Sequence, residues 1–187
     1  EGDINYVDVN GDGVINGNDQ VYMGSTLPEI SGGIVNELRW KNFDLNILLS
    51  YSIGRHAVNT LVSGSVEGRS VTPLLFNPDK ISFWEKPGDK ADYAAVGRER
   101  WGLVDYNVEK VNYLRLKSLT VGYSLPRRWL QKMGMTELRL FVSGENLLTW
   151  TNYSGLDPET IDLTSGYDQN RNYPLPRKYT LGITLKF

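Results

Sequence analysis

The sequence contains no cysteine among its 187 residues, which excludes disulfides, thiolate metal sites and cysteine nucleophiles and leaves no trace of redox compartment. Its one histidine, His56, is too few for a His-rich metal cluster. An excess of one charge is also missing. Twenty Lys and Arg stand against 22 Asp and Glu, a net charge of -2, so nothing suits a nucleic-acid backbone and no nucleic-acid partner is expected. Long hydrophobic runs are absent too: the longest aliphatic stretch is Ile47-Leu48-Leu49, against the ~20 apolar residues of a spanning helix. That excludes membrane helices. It does not exclude membrane β-barrels, whose strands need only ~9 to 11 residues and alternate apolar with polar. Glu1 is preceded by neither a methionine nor a charged and apolar leader, and the chain reads as a fragment of a longer protein.

What is present is two-residue periodicity. At the C-terminal end Tyr179, Leu181, Ile183, Leu185 and Phe187 alternate with Thr180, Gly182, Thr184 and Lys186, giving one apolar face and one small or polar face. Phe43, Leu45, Ile47, Leu49, Tyr51 and Ile53 repeat the pattern against Asp44, Asn46, Ser50, Ser52 and Gly54, with Leu48 out of phase. In 113 to 124, Leu119, Val121 and Tyr123 share a face, whereas Leu114 and Leu116 fall on the other parity and point to a bulge or a buried end. In 138 to 149, Leu138, Leu140 and Val142 oppose Arg139, Ser143 and Glu145, with Phe141 out of phase. The weakest pattern is 32 to 40, where Ile34, Leu38 and Trp40 share a face with Asn36. The expected fold is all-β: an antiparallel meander of about five strands near 32 to 40, 43 to 54, 113 to 124, 138 to 149 and 177 to 187.

Connection lengths alternate. Lys41-Asn42 and 125 to 137 are short, whereas 54 to 112 and 150 to 177 are long. Structureless loops beyond ~12 to 15 residues are uncommon in compact soluble domains. Short turns on one side and long loops on the other are the pattern of outer-membrane barrels. Trp129, Leu130 and Met133 at helical spacing, ended by Gly134, predict a single helical turn at the short corner. Aromatic residues gather into two belts: Trp40, Phe43, Tyr123, Trp129 and Phe187 toward the short turns, and Tyr51, Trp150, Tyr153 and Tyr179 toward the long loops. Tyr and Trp favour the bilayer interface because their rings are apolar with one polar edge. Leu45, Ile47, Leu49, Leu119, Val121, Leu140, Leu181, Ile183 and Leu185 would then face lipid.

Residues 8 to 19 carry a second kind of signal. Asp8, Asn10 and Asp12 at loop positions 1, 3 and 5, Gly13 at 6, Val14 offering a carbonyl, Asn16 direct or through water, and Asp19 at 12 match a calcium loop. Asp in place of Glu at position 12 shortens the reach and offers one oxygen rather than two. No amphipathic helix precedes the loop, so it resembles a stand-alone calcium loop more than a paired sensor. The alternative is a glycine-rich turn held by Asx hydrogen bonds without metal. The expected boundary separates this loop region, 1 to 31, from barrel strands and loops over 32 to 187.

Catalytic constellations are sparse. His56 has no nucleophile elbow beside it and is assigned no role. Asp157, Glu159 and Asp162 lie in one connection and read as a solvated loop face rather than a glycosidase pair. Gly32-Gly33 and Gly64-Ser65 lack the strand-to-helix context of a phosphate loop. No enzyme activity is expected.

As a set, these pieces resemble the C-terminal end of a SusC/RagA-type TonB-dependent outer-membrane transporter. The resemblance rests on Gly2-Asp3-Ile4 running into Asp8 to Asp19, on Asn42-Phe43-Asp44-Leu45, and on Tyr113-Leu114-Arg115-Leu116-Lys117-Ser118-Leu119-Thr120-Val121-Gly122-Tyr123-Ser124-Leu125-Pro126. It continues through Leu138 to Leu147 and Asp157-Pro158-Glu159, and ends on Tyr173-Pro174-Leu175-Pro176-Arg177-Lys178-Tyr179-Thr180-Leu181-Gly182. It implies a barrel of about 22 strands with a plugged lumen, of which this chain would be the closing segment in the outer membrane of a Gram-negative cell. It also implies a SusD-like surface lipoprotein as lid, the TonB complex as partner through regions upstream, and import of oligosaccharide or peptide oligomers. Counting strands back from 177 to 187 puts residues 1 to 31 outside the cell, where calcium is plentiful. The rival reading is a soluble calcium-stabilised β-sandwich that binds carbohydrate, in which the apolar strand faces would be buried against each other.

Overall fold

The computed structural model describes residues 2, 4–59, 82–91, 94–95, 104–168 and 172–187. Gly64-Ser65 and much of the long 54-to-112 connection lie outside these residues. Within them the chain forms β1 (Ile30–Trp40), β2 (Phe43–Asn59), β3 (Val108–Ser124), the helical turn α1 (Arg127–Leu130), β4 (Glu137–Thr151), the short β5 (Tyr167–Asp168) and β6 (Lys178–Lys186). All strands belong to one sheet in the order β1-β2-β3-β4-β6, with β5 beside β2. The long strands are thus neighbours in chain order, as the alternating patterns predict. No helix among the described residues is long and apolar enough to cross a membrane.

Two compact units emerge. The first comprises Glu1–Thr26, His56–Glu109 and Ile161–Arg171. In it β5 pairs in parallel with the end of β2, Val58 opposite Tyr167 and Asn59 opposite Asp168, and Asn59 Nδ2 donates to Glu109 Oε1 at 2.8 Å. Periodicity could not announce a two-residue strand. The second unit comprises Leu27–Arg55, Lys110–Thr160 and Asn172–Phe187 and holds the sheet proper.

Register fixes the faces of the second unit. Leu138, Leu140 and Val142 on β4 sit opposite Leu185, Ile183 and Leu181 on β6, while Val121 and Tyr123 on β3 sit opposite Val142 and Leu140. The Phe43 ring on β2 lies 4.7 Å from that of Tyr123, and Leu45 and Leu49 on β2 pair with Leu38 and Ile34 on β1. Side chains alternate along a strand, so the predicted apolar set falls on one face. That face is open: Leu181 is 77% exposed, Ile183 62% and Val142 55%. The few buried apolar side chains among the described residues, such as Val111, Leu130 and Tyr153, make no core beneath this sheet.

Leu114 and Leu116 resolve as the parity break foretold. The β3–β4 register shifts between Leu116 and Ser118, after which Leu116 pairs with Leu148 and Leu114 with Trp150. A bulge turns the strand over. It returns both leucines to the apolar face and turns Arg115 and Lys117 to the opposite one. Gly54 does the same for β2: its φ of 86° is open to glycine and strained for other residues, and beyond it Arg55 is turned into a buried site. This is why 43 to 54 ended early in the sequence pattern although the strand runs on to Asn59.

Short connections match expectation. Lys41, with φ 55°, makes the tight β1–β2 turn. The corner after β3 is α1, a 3-10 turn over Gln131–Met133 and a left-handed Gly134 that ends it.

Candidate functional site

Three features of this unit bear on function: the two faces of the wall and an ionic cluster at the long-loop end. On the face opposite the open apolar one, Asp44 on β2 meets Arg139 on β4 across the intervening β3. Arg139 Nε donates to Asp44 Oδ1 at 3.0 Å and Nη2 to Oδ2 at 2.5 Å. Gly122 of β3 makes the crossing possible, since a Cβ there would stand 2.4 Å from both Arg139 Nη2 and Asp44 Oδ1. The guanidinium also lies 5.1 Å from the Phe141 ring, and that ring covers Gly182 of β6, where a Cβ would fall within 2.1 Å of it. Phe141, out of phase in the sequence, therefore packs over glycine on the polar face.

At the long-loop end, Arg115 and Asp157 are each 3% exposed and Arg55 is 4% exposed. Arg115 Nη2 meets Asp157 Oδ1 at 2.5 Å, its Nη1 meets Glu159 Oε2 at 2.7 Å, and Lys117 Nζ meets Glu159 Oε1 at 2.6 Å. Arg55 donates to the carbonyl of Pro158. Asp157 also accepts from the backbone N–H of Glu159 and of Leu175, both at 3.0 Å, so one carboxylate ties two parts of the 152-to-177 connection to β3. Burial alone would push the Asp157 carboxyl up. The Arg115 hydrogen bond and the two backbone N–H donors outweigh it and hold the group below its ordinary value. This corrects the solvated-face expectation for Asp157 and Glu159, because the bulge and Gly54 turn two arginines toward that connection. Asp162 does stay exposed. Ser165 Oγ donates to it and, with the Thr164 N–H, lowers its pKa.

Tyr153 leaves the aromatic belt assigned to it. It is buried rather than interfacial, its phenol within electrostatic range of Arg55 and its ring against Gly155. Trp150 and Tyr179 remain exposed, as do Trp40, Phe43, Trp129 and Phe187.

In the first unit, the Asp8-to-Asp19 segment folds on its own side chains. Asp8 Oδ1 and Oδ2 accept from the N–H of Gly11 and Gly13, both at 2.7 Å; Asn10 Oδ1 accepts from Asp12 N–H, and Asp12 Oδ1 from Val14 N–H. Asp19 Oδ1 and Oδ2 accept from the N–H of Val9 and Asn16, and Asn16 Nδ2 donates to the Val14 carbonyl. The Asn16 N–H leads the interactions that lower the Asp19 pKa. Among the described residues no three His, Cys, Asp or Glu side chains group as metal ligands. The donors are nonetheless all oxygen, and an oxygen that accepts one N–H retains a lone pair for a hard cation. Val9, Ile15 and Asp19 line a cavity of about 800 Å³ together with Val104, Asp105 and Val108. His56 packs against Gly24, where a Cβ would fall 2.3 Å from Nδ1, and its N–H donates to the Ser25 carbonyl.

A single sheet of neighbouring strands, with one open apolar face, small and ion-paired residues on the other, short turns at one end and long connections at the opposite end, is a segment of a transmembrane β-barrel wall. No family model matches the chain. It is 33% identical over 97% of its length to TonB-dependent receptor P3 of Formosa agariphila, and 28% identical over 97% to TonB-dependent receptor SusC of Bacteroides thetaiotaomicron. A solved RagAB peptide transporter superposes on 93% of the chain with a TM-score of 0.78 at 25% identity. In sequence and in fold, this chain matches a barrel segment of TonB-dependent receptors of the SusC/RagA type. It spans 19% of the length of receptor P3 and 17% of that of SusC.

Proposed function

We propose that the chain is part of the wall of a TonB-dependent importer in the outer membrane of a Gram-negative cell. In this reading glycan or peptide oligomers pass through a channel capped by a SusD-like lipoprotein, and the TonB complex engages other parts of the protein. The observation that carries it is the open apolar face in continuous cross-strand register, Val121 opposite Val142 and Val142 opposite Leu181. Water would penalise such a surface and lipid removes the penalty. The same observation disfavours the soluble sandwich, since no second sheet covers that face among the described residues. The likeness to SusC and RagAB supports the lid, and the name of the RagAB peptide transporter supports a peptide substrate. The test uses the whole protein in its own cells. It should fractionate with the outer membrane, co-purify with a surface lipoprotein and take up labelled oligosaccharide or peptide only while the proton gradient stands. Recovery in the soluble fraction, or uptake indifferent to a protonophore, would contradict the reading.

The reading extends to the Asp8-to-Asp19 loop. Asp8, Asn10, Asp12, the Val14 carbonyl, Asn16 and Asp19 would hold a calcium ion whose role is to pin an extracellular loop. The twelve-residue pattern and the all-oxygen donor set support it. Calcium added to the intact transporter should slow proteolysis between residues 1 and 31, and Asp12→Ala should abolish that protection. If neither calcium nor the substitution changes the cleavage rate, the loop is a glycine turn without metal.

A further inference from the structure

Five strand cations of the second unit have carboxylate partners, Arg115 with Asp157 and Glu159, Lys117 with Glu159, Arg139 with Asp44, Lys178 with Glu145 and Lys186 with Glu137, and Arg55 donates to the Pro158 carbonyl, whereas Arg39 and Lys110 make no ion pair among the described residues. Lys41, Arg127, Arg128 and Lys132, at the short-turn end, are exposed and make no ion pair among the described residues. They come from two turns that are clamped together. The carbonyl of Asn42, next to Lys41, accepts from the Ser124 N–H at 2.8 Å, and Asn42 Nδ2 donates to the Ser124 carbonyl at 2.7 Å, just before α1 begins. Each turn also presents an exposed tryptophan under a cation: Lys41 Nζ is 4.9 Å from the Trp40 ring centre and the Arg128 guanidinium 6.0 Å from that of Trp129. Buried Leu130 anchors the corner, so Arg127, Arg128 and Trp129 remain outward.

This patch is continuous with the apolar face, since Trp40 pairs with Phe43 and the Phe43 ring lies on that of Tyr123. We propose that Lys41, Arg127, Arg128 and Lys132, with Trp40 and Trp129, bind anionic phospholipid headgroups of the phosphatidylglycerol class in the leaflet on the short-turn side. The inference rests on the barrel-wall reading and adds a headgroup preference to it. An arginine fork or lysine ammonium matches a phosphodiester, and the tryptophans match the depth at which ring and headgroup coexist. A soluble acidic protein would satisfy the cations. It would leave the tryptophans and the apolar face below them without a partner.

The experiment uses the full transporter containing this segment, inserted into vesicles of phosphatidylcholine alone or mixed with phosphatidylglycerol, then extracted and analysed for retained lipid by mass spectrometry. The unmodified protein should retain phosphatidylglycerol several-fold above its share of the vesicle, and salt should reduce the excess. The K41Q/R127Q/R128Q/K132Q protein should fall to the vesicle's own ratio. K41R/R127K/R128K/K132R should retain the excess, as should Lys186→Gln, whose lysine is already paired. Equal retention by the glutamine variant, or complete displacement by inorganic phosphate, would overturn the proposal, the latter by assigning the patch to free anions. Failure of every variant and of the unmodified protein to insert would instead overturn the barrel-wall reading beneath it.

Discussion

The two ends of the strand wall treat charge in opposite ways. At the long-loop end Arg115 is buried and shared between Asp157 and Glu159, and Arg55 reaches a loop carbonyl. At the short-turn end Lys41, Arg127, Arg128 and Lys132 stand in the open beside tryptophans. A buried cation is tolerated only when it is ion-paired or hydrogen-bonded, so the first end is a structural anchor that holds a long connection. An exposed cation contributes little to folding and remains available to an outside anion.

Breaking the anchor should have the largest effect. Arg115→Ala leaves two carboxylates facing a buried site and should cost about 3 to 5 kcal/mol, read as accelerated proteolysis of 152 to 177 and a lowered unfolding midpoint. Acid probes the same anchor through Asp157. Its folded pKa lies below the unfolded value of about 3.9, so its contribution is complete above that pH and is lost as pH falls through the folded value. Loop protection should therefore be unchanged between neutrality and about pH 5 and fail only below the ordinary carboxylate range.

The wall between the two ends should respond by face. Ile183→Arg should cost about 2 to 4 kcal/mol at mid-membrane depth, whereas Thr184→Arg should cost much less, both measured by unfolding in lipid vesicles. Gly122→Val would place side-chain atoms where Asp44 and Arg139 meet and should cost about 1 to 3 kcal/mol in the same assay. The smallest effect belongs to the short-turn end: Arg128→Gln should shift stability in zwitterionic detergent by no more than about 0.5 kcal/mol. A loss comparable to that of Arg115→Ala would erase the distinction between the ends.

Strand existence was legible because one face meets an apolar surrounding and the other does not, so Leu181, Ile183 and Leu185 alternate without interruption against Thr180, Gly182 and Thr184. The bulge was legible as the parity of Leu114 and Leu116. The anchor was not. Arg55, Arg115 and Asp157 are far apart in sequence, and each alone reads as a surface charge; only after Gly54 and the Leu116–Ser118 shift have turned the strands do they converge. A signal existed in the glycine at 54 and in the broken phase of β3, both marking where a strand changes face. The Asp44–Arg139 pair was hidden for a related reason: nothing in a linear pattern says that a glycine on the strand between lets two side chains meet.

The central claim is that the two faces of β6 see lipid and the barrel interior. This chain holds no cysteine, so with any cysteines elsewhere in the transporter replaced, single cysteines can be introduced at Leu181, Ile183 and Leu185 and, separately, at Thr180 and Thr184, and each coupled to a nitroxide in the intact transporter in vesicles. Collision with molecular oxygen should be high and collision with a polar relaxation agent low at 181, 183 and 185, with the order reversed or both suppressed at 180 and 184. Accessibility that does not alternate along the strand, or polar access at Ile183 equal to that at Thr184, would contradict the account.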